Sequence, residues 1–193
     1  MMNLSINKKR FFDLALVFFA IILFLIPFIS LCIVVRLSSK GPALYWSDRV
    51  GLENKIFKMP KFRTMRIETP NVATHLLDNP TFFYTPIGSF LRKSSFDEIP
   101  QLWSILLGHM SFVGPRPALF NQYDLIQLRS KAGVSRLLPG LTGWAQVNGR
   151  DHLSIMQKVN LDVEYLNRKS FRFDLYILWI TFLKVIGQDG ISH

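Results

Sequence analysis

Cysteine is nearly absent: Cys32 stands alone, so no disulfide can form within the chain and nothing marks an oxidising compartment. Acidic residues are also few, with 13 Asp and Glu against 23 Lys and Arg and a formal net charge of +10. An excess of that size points to an anionic partner, either nucleic acid or a membrane carrying acidic lipid. The 4 histidines, His75, His109, His152 and His193, show no metal-ligand spacing and read as surface residues. There is no internal repeat and no low-complexity linker. A chain of 193 residues holds one domain with a substantial core and is too short for two large ones.

What is present favours the membrane. Hydrophobic residues make up 49% and Phe alone counts 17, rich for a soluble basic domain, and no nucleic-acid recognition motif accompanies the charge. Leu14 to Val35 carries no charge at all. As one helix that run extends ~33 Å, enough to cross a bilayer core. A cleaved signal peptide is the first alternative, but Arg36-Leu37-Ser38-Ser39-Lys40 offers no small-residue cleavage pattern. Pro27 falls inside the run, where it lacks an N–H and crowds the preceding turn, so a kink or break is expected there. The pieces on either side reach roughly 20 and 12 Å, too short to cross separately. Lys8, Lys9 and Arg10 precede the run, Arg36 and Lys40 follow it, and the positive-inside rule puts both flanks on the cytoplasmic side. A re-entrant helix-break-helix hairpin dipping into one leaflet meets both conditions. A kinked single span stays open beside it, because prolines are tolerated in spanning helices.

Further along, 43–50 and 55–59 flank Gly51-Leu52-Glu53-Asn54 and predict a short β-hairpin. Lys61, Arg63 and Arg66 add positive charge, and 67–80 is a polar loop. Thr85-Pro86 signals a helix start, with a short helix over 87–93. A helix is expected over 97–107, with Ile99, Leu102, Trp103, Leu106 and Leu107 on one stripe and Gly108 ending it. Two more are expected over 117–131, closed by Gly133, and over 153–168, with Val159, Val163 and Leu166 inward. The apolar piece 171–186 contains Asp174 and Lys184. It fits an amphipathic helix at the membrane interface anchored by Tyr176 and Trp179, or an ordinary core helix.

The chemistry centres on Asp97 and Glu98, in Arg92-Lys93-Ser94-Ser95-Phe96-Asp97-Glu98-Ile99-Pro100-Gln101-Leu102-Trp103. Taken alone such a pair is usually structural: Ser95 and Glu98 match a capping box, and acids suit a first helical turn. The surroundings point elsewhere. Gly114-Pro115-Arg116-Pro117 is a stiff loop carrying one guanidinium, and Pro139 to Arg150 is rich in glycine and polar groups. Arginines neutralise phosphate oxygens, after which a carboxylate can approach as a nucleophile. Arg92, about one turn upstream, is the candidate to grip a phosphate bidentately, against a lipid-headgroup or solvated role. Arg116, pinned between prolines, is presented with little conformational freedom and suits a phosphate, against a structural salt bridge. In the glycine-rich loop, Gln146 and Asn148 offer hydrogen bonds to a base or sugar, against a turn-rich scaffold.

These strings, in this order, resemble the bacterial sugar transferases, the small monotopic phosphoglycosyl transferases that start membrane-linked glycan assembly. The resemblance covers nearly the whole chain. It runs through Lys9-Arg10-Phe11-Phe12-Asp13, the Pro27 segment, Arg49-Val50-Gly51 and Lys61-Phe62-Arg63-Thr64-Met65, then Ser95 to Leu102, Met110 to Pro117 and Pro139 to Arg150. It implies transfer of a sugar phosphate from a nucleoside diphosphate sugar, usually a UDP-sugar, to polyprenyl phosphate, with UMP released and Mg²⁺ required. It makes Asp97 the nucleophile that carries a covalent phosphosugar, and a Mg²⁺ ligand. Glu98 would position or deprotonate the acceptor phosphate. Lys61, Arg63, Arg92, Arg116, Gln146, Asn148, Arg150 and Asp174 form the implied substrate-binding set. Asp162 and Asp174 both match family positions, where either completes the metal site or buttresses a basic residue; Asp174 is preferred for the site. Many relatives carry Ser-Pro at the membrane break, whereas this chain has Ile26-Pro27.

The implied fold is α+β and mainly helical. A re-entrant membrane helix occupies 1–40, and 41–193 forms a cytoplasmic catalytic domain with a small β-hairpin and interfacial amphipathic helices. The implied location is the cytoplasmic face of the bacterial inner membrane, and apolar helices invite a homodimer. The competing reading is a non-enzymatic, membrane-anchored basic adaptor that holds acidic lipid or protein. It leaves the Asp-Glu pair between two Gly/Pro-rich loops unexplained.

Overall fold

Helix α1 (Met2–Ser38) gathers the uncharged run and both basic flanks into one element. In a computed structural model of the chain, which describes residues 2–70, 79–149 and 152–187, it is a single helix of 37 residues, about 55 Å at the usual rise. The break predicted at Pro27 is not formed, and the helix continues past it. Proline removes one N–H bond and bends a helix without having to end it, so of the two outcomes expected at Pro27 only the complete break is excluded. One stripe of α1 packs on the rest of the chain: Asp13, Val17 and Ala20, then Phe28, Leu31 and Val35, spaced by three or four residues. Val17 and Val35 are fully buried, each contributing roughly 1.5–3 kcal/mol of apolar burial. Between the two contact zones Ile21, Ile22, Leu23, Leu25 and Ile26 are exposed.

Strands β1 (Leu44–Val50) and β2 (Ile56–Phe62) form the expected antiparallel hairpin, Leu44 opposite Phe62 and Val50 opposite Ile56. β2 runs beyond the predicted end at Met59, so Pro60 lies opposite Trp46 and Lys61 stands on a strand. A proline is admissible there because an edge position needs no ladder N–H.

The predicted helix over 97–107 is instead a 3-10 turn, Phe96–Gln101, running into α3 (Leu102–Leu106); α2 (Gly88–Lys93) precedes it. Pro100 is the cause, since it has no N–H to give to Phe96 in an α-turn. Ser95 has φ +58 and its side chain caps nothing, so the capping box proposed there does not exist. Gly108, at φ +83, ends the segment as expected. The capping box falls at α6 (Ile155–Arg168): Ser154 N–H donates to Gln157 Oε1 at 2.8 Å, and Gln157 N–H to Ser154 Oγ at 3.3 Å.

Helix α4 (Tyr123–Lys131) starts later than the predicted 117, because the residues before it run along β1: Val50 N–H donates to the Ala118 carbonyl at 2.9 Å. Two parallel strands, β3 (Ser111–Val113) and β4 (Gly140–Thr142), escape sequence reading because three residues carry no usable alternation. A short α5 (Trp144–Val147) follows β4, and α7 (Phe171–Gly187) matches expectation. The main core draws Val17, Ile105, Phe112, Tyr165, Phe173 and Ile177 from α1, α3, β3, α6 and α7. α7 therefore buries one side and leaves Tyr176, Trp179, Phe182 and Leu183 exposed.

Ile105→Ala should lower stability by about 2–5 kcal/mol, since the side chain is fully enclosed. Phe18→Ala, at an exposed position of α1, should leave it unchanged. Thermal unfolding in detergent compares the two.

Candidate active site

The 3-10 turn that Pro100 imposes sets Asp97 and Glu98 side by side over β2, and β2 answers with one cation. Lys61 Nζ lies 2.9 Å from Glu98 Oε1 and 3.4 Å from Asp97 Oδ2. The three side chains are only 15%, 12% and 10% exposed, so these charges meet largely out of water. Arg116 reaches the same carboxylate oxygen, its Nη2 2.9 Å from Glu98 Oε1. Two carboxylates and two cations from three separate strings of the sequence thus converge. In a poorly hydrated site, removing one partner leaves an uncompensated charge, which is far costlier than at the surface.

The Arg116 segment is held by its carbonyls. Prolines 115 and 117 have no N–H, so the backbone here is anchored chiefly as an acceptor. Gly140 N–H donates to the Pro115 carbonyl at 2.9 Å, Arg129 Nη1 to that of Arg116 at 2.8 Å, and Arg49 Nη1 to that of Pro117 at 3.1 Å. Val50 N–H takes the next carbonyl, Ala118. Arg129 is itself clasped by Asp162 Oδ2, at 2.9 Å from Nε and 2.7 Å from Nη2. Burial raises the Asp162 carboxyl above the usual carboxylate range, and Arg129 draws it back. Burial, then the charge of Arg116, pushes the Arg49 guanidinium down to about 10.

Glycines let the two loops meet backbone to backbone. Gly114 N–H donates to the Thr142 carbonyl at 2.9 Å. A Cβ on Gly140 would stand 2.1 Å from Gly114 N, and one on Gly143 would stand 2.0 Å from the Gly114 carbonyl oxygen. The same Gly143 Cβ would lie 2.6 Å from Gln146 Oε1, so the Gln146 amide rests against this crossing. Both of its polar atoms are buried with no hydrogen-bond partner among the described residues.

The remaining predicted residues are engaged as follows. Arg92 Nε donates to Thr64 Oγ1 at 3.1 Å, and its guanidinium lies 5.2 Å above the Tyr84 ring. Arg63 holds the end of α1, donating to the Lys40 carbonyl and, at 3.0 Å, to that of Ser39. Asp174 accepts from Lys9 Nζ and from Tyr165 Oη, both at 2.7 Å, and so buttresses a base of α1. Burial, then the Asp174 charge, raises the Tyr165 hydroxyl. Asn148 is exposed and donates to the Trp144 carbonyl at 2.8 Å. Arg150 lies outside the described residues, as do His75 and His193. Arg49 and Arg129 were absent from the predicted set. Arg49 at least stood in a noted string, Arg49-Val50-Gly51, while nothing local singles out Arg129 from other helical arginines. Among the described residues no three His, Cys, Asp or Glu side chains cluster as a metal cage. An Asp-Glu pair suits a magnesium ion held jointly with substrate phosphates, the usual mode for that ion.

A family model described as bacterial sugar transferase matches residues 4–188. The chain is 39% identical to the uncharacterized sugar transferase EpsL of Bacillus subtilis (strain 168), over 96% of this chain and 90% of that protein. It is 41% identical to the UDP-glucose:undecaprenyl-phosphate glucose-1-phosphate transferase of Escherichia coli (strain K12), over 91% of this chain but 39% of that larger protein. Similarity to the exopolysaccharide production protein ExoY of Rhizobium meliloti (strain 1021) is 36%, over 94% of this chain and 87% of that one.

Gly143 has an extended backbone that any residue can adopt, so only space forbids a side chain there. Gly143→Ala should therefore push β4 from the Gly114 loop and lower the thermal midpoint sharply. Limited proteolysis around 110–145, compared with wild type, checks that the lesion is at this crossing.

Proposed function

The chain belongs to the bacterial sugar transferase family, and from that premise we propose that it moves a sugar phosphate from a UDP-sugar to polyprenyl phosphate through Asp97. It is a sugar-phosphate transferase; the donor, the covalent step and the residue roles are the proposal. The observation that carries it is the meeting of the largely buried Asp97, Glu98 and Lys61 with the half-buried Arg116. Two carboxylates beside two cations suit a diphosphate, whose oxygens the cations can hold while a carboxylate approaches phosphorus. The names of relatives acting on undecaprenyl phosphate support the lipid acceptor.

In this reading an Asp97 oxygen attacks the sugar-bearing phosphorus. A bond from Asp97 to phosphorus forms and the bond to UMP breaks, leaving an aspartyl phosphosugar. Glu98, fixed by Lys61 and Arg116, orients the acceptor phosphate or takes its proton. An oxygen of polyprenyl phosphate then attacks the same phosphorus and releases Asp97, giving polyprenyl-diphosphate sugar. Asp97 would hold a magnesium ion jointly with the donor phosphates, and the ion would neutralise charge on the diphosphate. Gln146 is assigned to the donor, supported by a buried amide that has no hydrogen-bond partner among the described residues; Asn148 and Arg150 are assigned there by the family resemblance alone.

Asp97→Asn should abolish turnover by several orders of magnitude, while Glu98→Gln keeps some adduct formation. Intact-mass spectrometry of enzyme with donor and no acceptor should show an added phosphosugar on wild type only when Asp97 is present. Release of UMP without any adduct across a donor panel would rule out the covalent route.

The same proposal includes a re-entrant α1 on the cytoplasmic face of the inner membrane. Its first end is fixed by Lys9 and Arg10, Arg10 donating to the Ile105 and Leu106 carbonyls at 2.6 and 2.8 Å. Its last end is fixed by Arg63 on Ser39 and Lys40. A segment that crossed the bilayer would carry these two ends to opposite sides, yet one domain grips both. Single cysteines at Lys8 and at Lys40, in a Cys32→Ser background, should both react only from the cytoplasmic side. Labelling of the Lys8 position from the periplasm means that the segment spans.

A further inference from the structure

We infer that Arg129 and Asp162 are positioning residues for Arg116, and through it for Glu98; the inference rests on the transferase reading of the site. Arg129 lies on α4 and Asp162 on α6, and both are buried. Asp162 Oδ2 accepts from Nε at 2.9 Å and from Nη2 at 2.7 Å, which fixes the guanidinium plane. The remaining nitrogen, Nη1, then has one direction, and at 2.8 Å along it sits the Arg116 carbonyl. Arg116 sends its side chain to Glu98 Oε1 at 2.9 Å. One residue is thus held by its backbone from α4 and holds a carboxylate by its side chain.

The chemistry of the loop makes this anchor specific. Pro115 and Pro117 lack N–H groups, so carbonyls are the main handles by which the peptide can be fixed. Most carbonyl handles in the segment are taken by neighbouring backbone or by Arg49. That of Arg116 itself is taken by Arg129. Stability alone does not call for the pair: a buried ion pair is commonly matched or bettered by apolar side chains of similar volume. The third bond gives it a task that no apolar pair performs. Lysine could keep the charge opposite Asp162 but has no planar fork with which to serve both Asp162 and the carbonyl.

The test uses the full chain in detergent or nanodiscs, with UDP-sugar donors, polyprenyl phosphate and magnesium. Arg129→Lys should lower kcat roughly 10- to 100-fold, the scale for misplacing a catalytic group by about an ångström. Hydrogen exchange at the Arg116, Ala118 and Leu119 amides should speed up while α6 amides stay as in wild type. In an Arg116→Lys background the Arg129→Lys change should add little further loss, because both act on one contact. Losses that multiply there, or wild-type kcat and exchange in Arg129→Lys alone, overturn the inference. Should that variant fold poorly, Arg129→Met with Asp162→Val removes both charges at nearly unchanged total volume; it should fold and stay slow, and wild-type kcat in it also overturns the inference. A wild-type enzyme that releases no UMP with any donor would remove the transferase reading instead. The exchange data alone would then decide whether Arg129 holds the Arg116 segment.

Discussion

The backbone of Gly114-Pro115-Arg116-Pro117-Ala118 is the constraint on which the rest of the site depends. Two prolines fix dihedrals and remove donors, so the segment is secured by what reaches its carbonyls. Those donors come from β1, α4 and β4, three elements far apart in sequence. Just upstream, the Val113 carbonyl accepts from Lys9 on α1 at 2.9 Å, and the Phe112 N–H donates to Asp13 at 3.2 Å. The membrane helix and the arginine loop therefore share a support. Any displacement of α1 acts on the strand that leads into Arg116.

Much of this was legible in the sequence, and the reasons it was legible are local. The hairpin, α6 and α7 announce themselves by alternation or by a helical stripe long enough to count. Asp97, Glu98 and Arg116 could be singled out because their residue types suit phosphate chemistry beside proline-stiffened turns, whereas Lys61, one of several basic residues in its string, entered only through the family resemblance. What stayed hidden depended on long-range partners. Arg129 looks like any helical arginine until Asp162 and the Arg116 carbonyl are seen beside it. Asp174 looked like a site residue and is engaged by Lys9 and Tyr165. Arg63 stood beside Lys61 in one basic string, yet it leaves in the other direction to hold the end of α1.

The errors in secondary structure have a common origin in proline and in competition for backbone groups. Pro100 turns an expected α-helix into a 3-10 turn, and that tighter turn is what presents Asp97 and Glu98 together over Lys61. Residues 117–119 lie along β1, which bonds the Pro117 and Ala118 carbonyls, and Leu119 and Gln122 then close a turn instead of starting a helix. In both places the departure from the local pattern falls at the site, where tertiary demands outrank propensity.

Hydropathy alone treats α1 as a span, and by length and composition it qualifies. Its packing adds what composition omits. A helix that crosses a bilayer touches its own soluble domain at one end, whereas α1 gives Val17 to one cluster and Val35 to another of the same domain, with exposed apolar residues between. On α7, Tyr176, Trp179 and Phe182 are exposed as well. Lys61, on β2, draws Asp97 and Glu98 onto the same body that α1 clasps from both ends. Both contact zones of α1 and the carboxylate pair thus belong to one packed body.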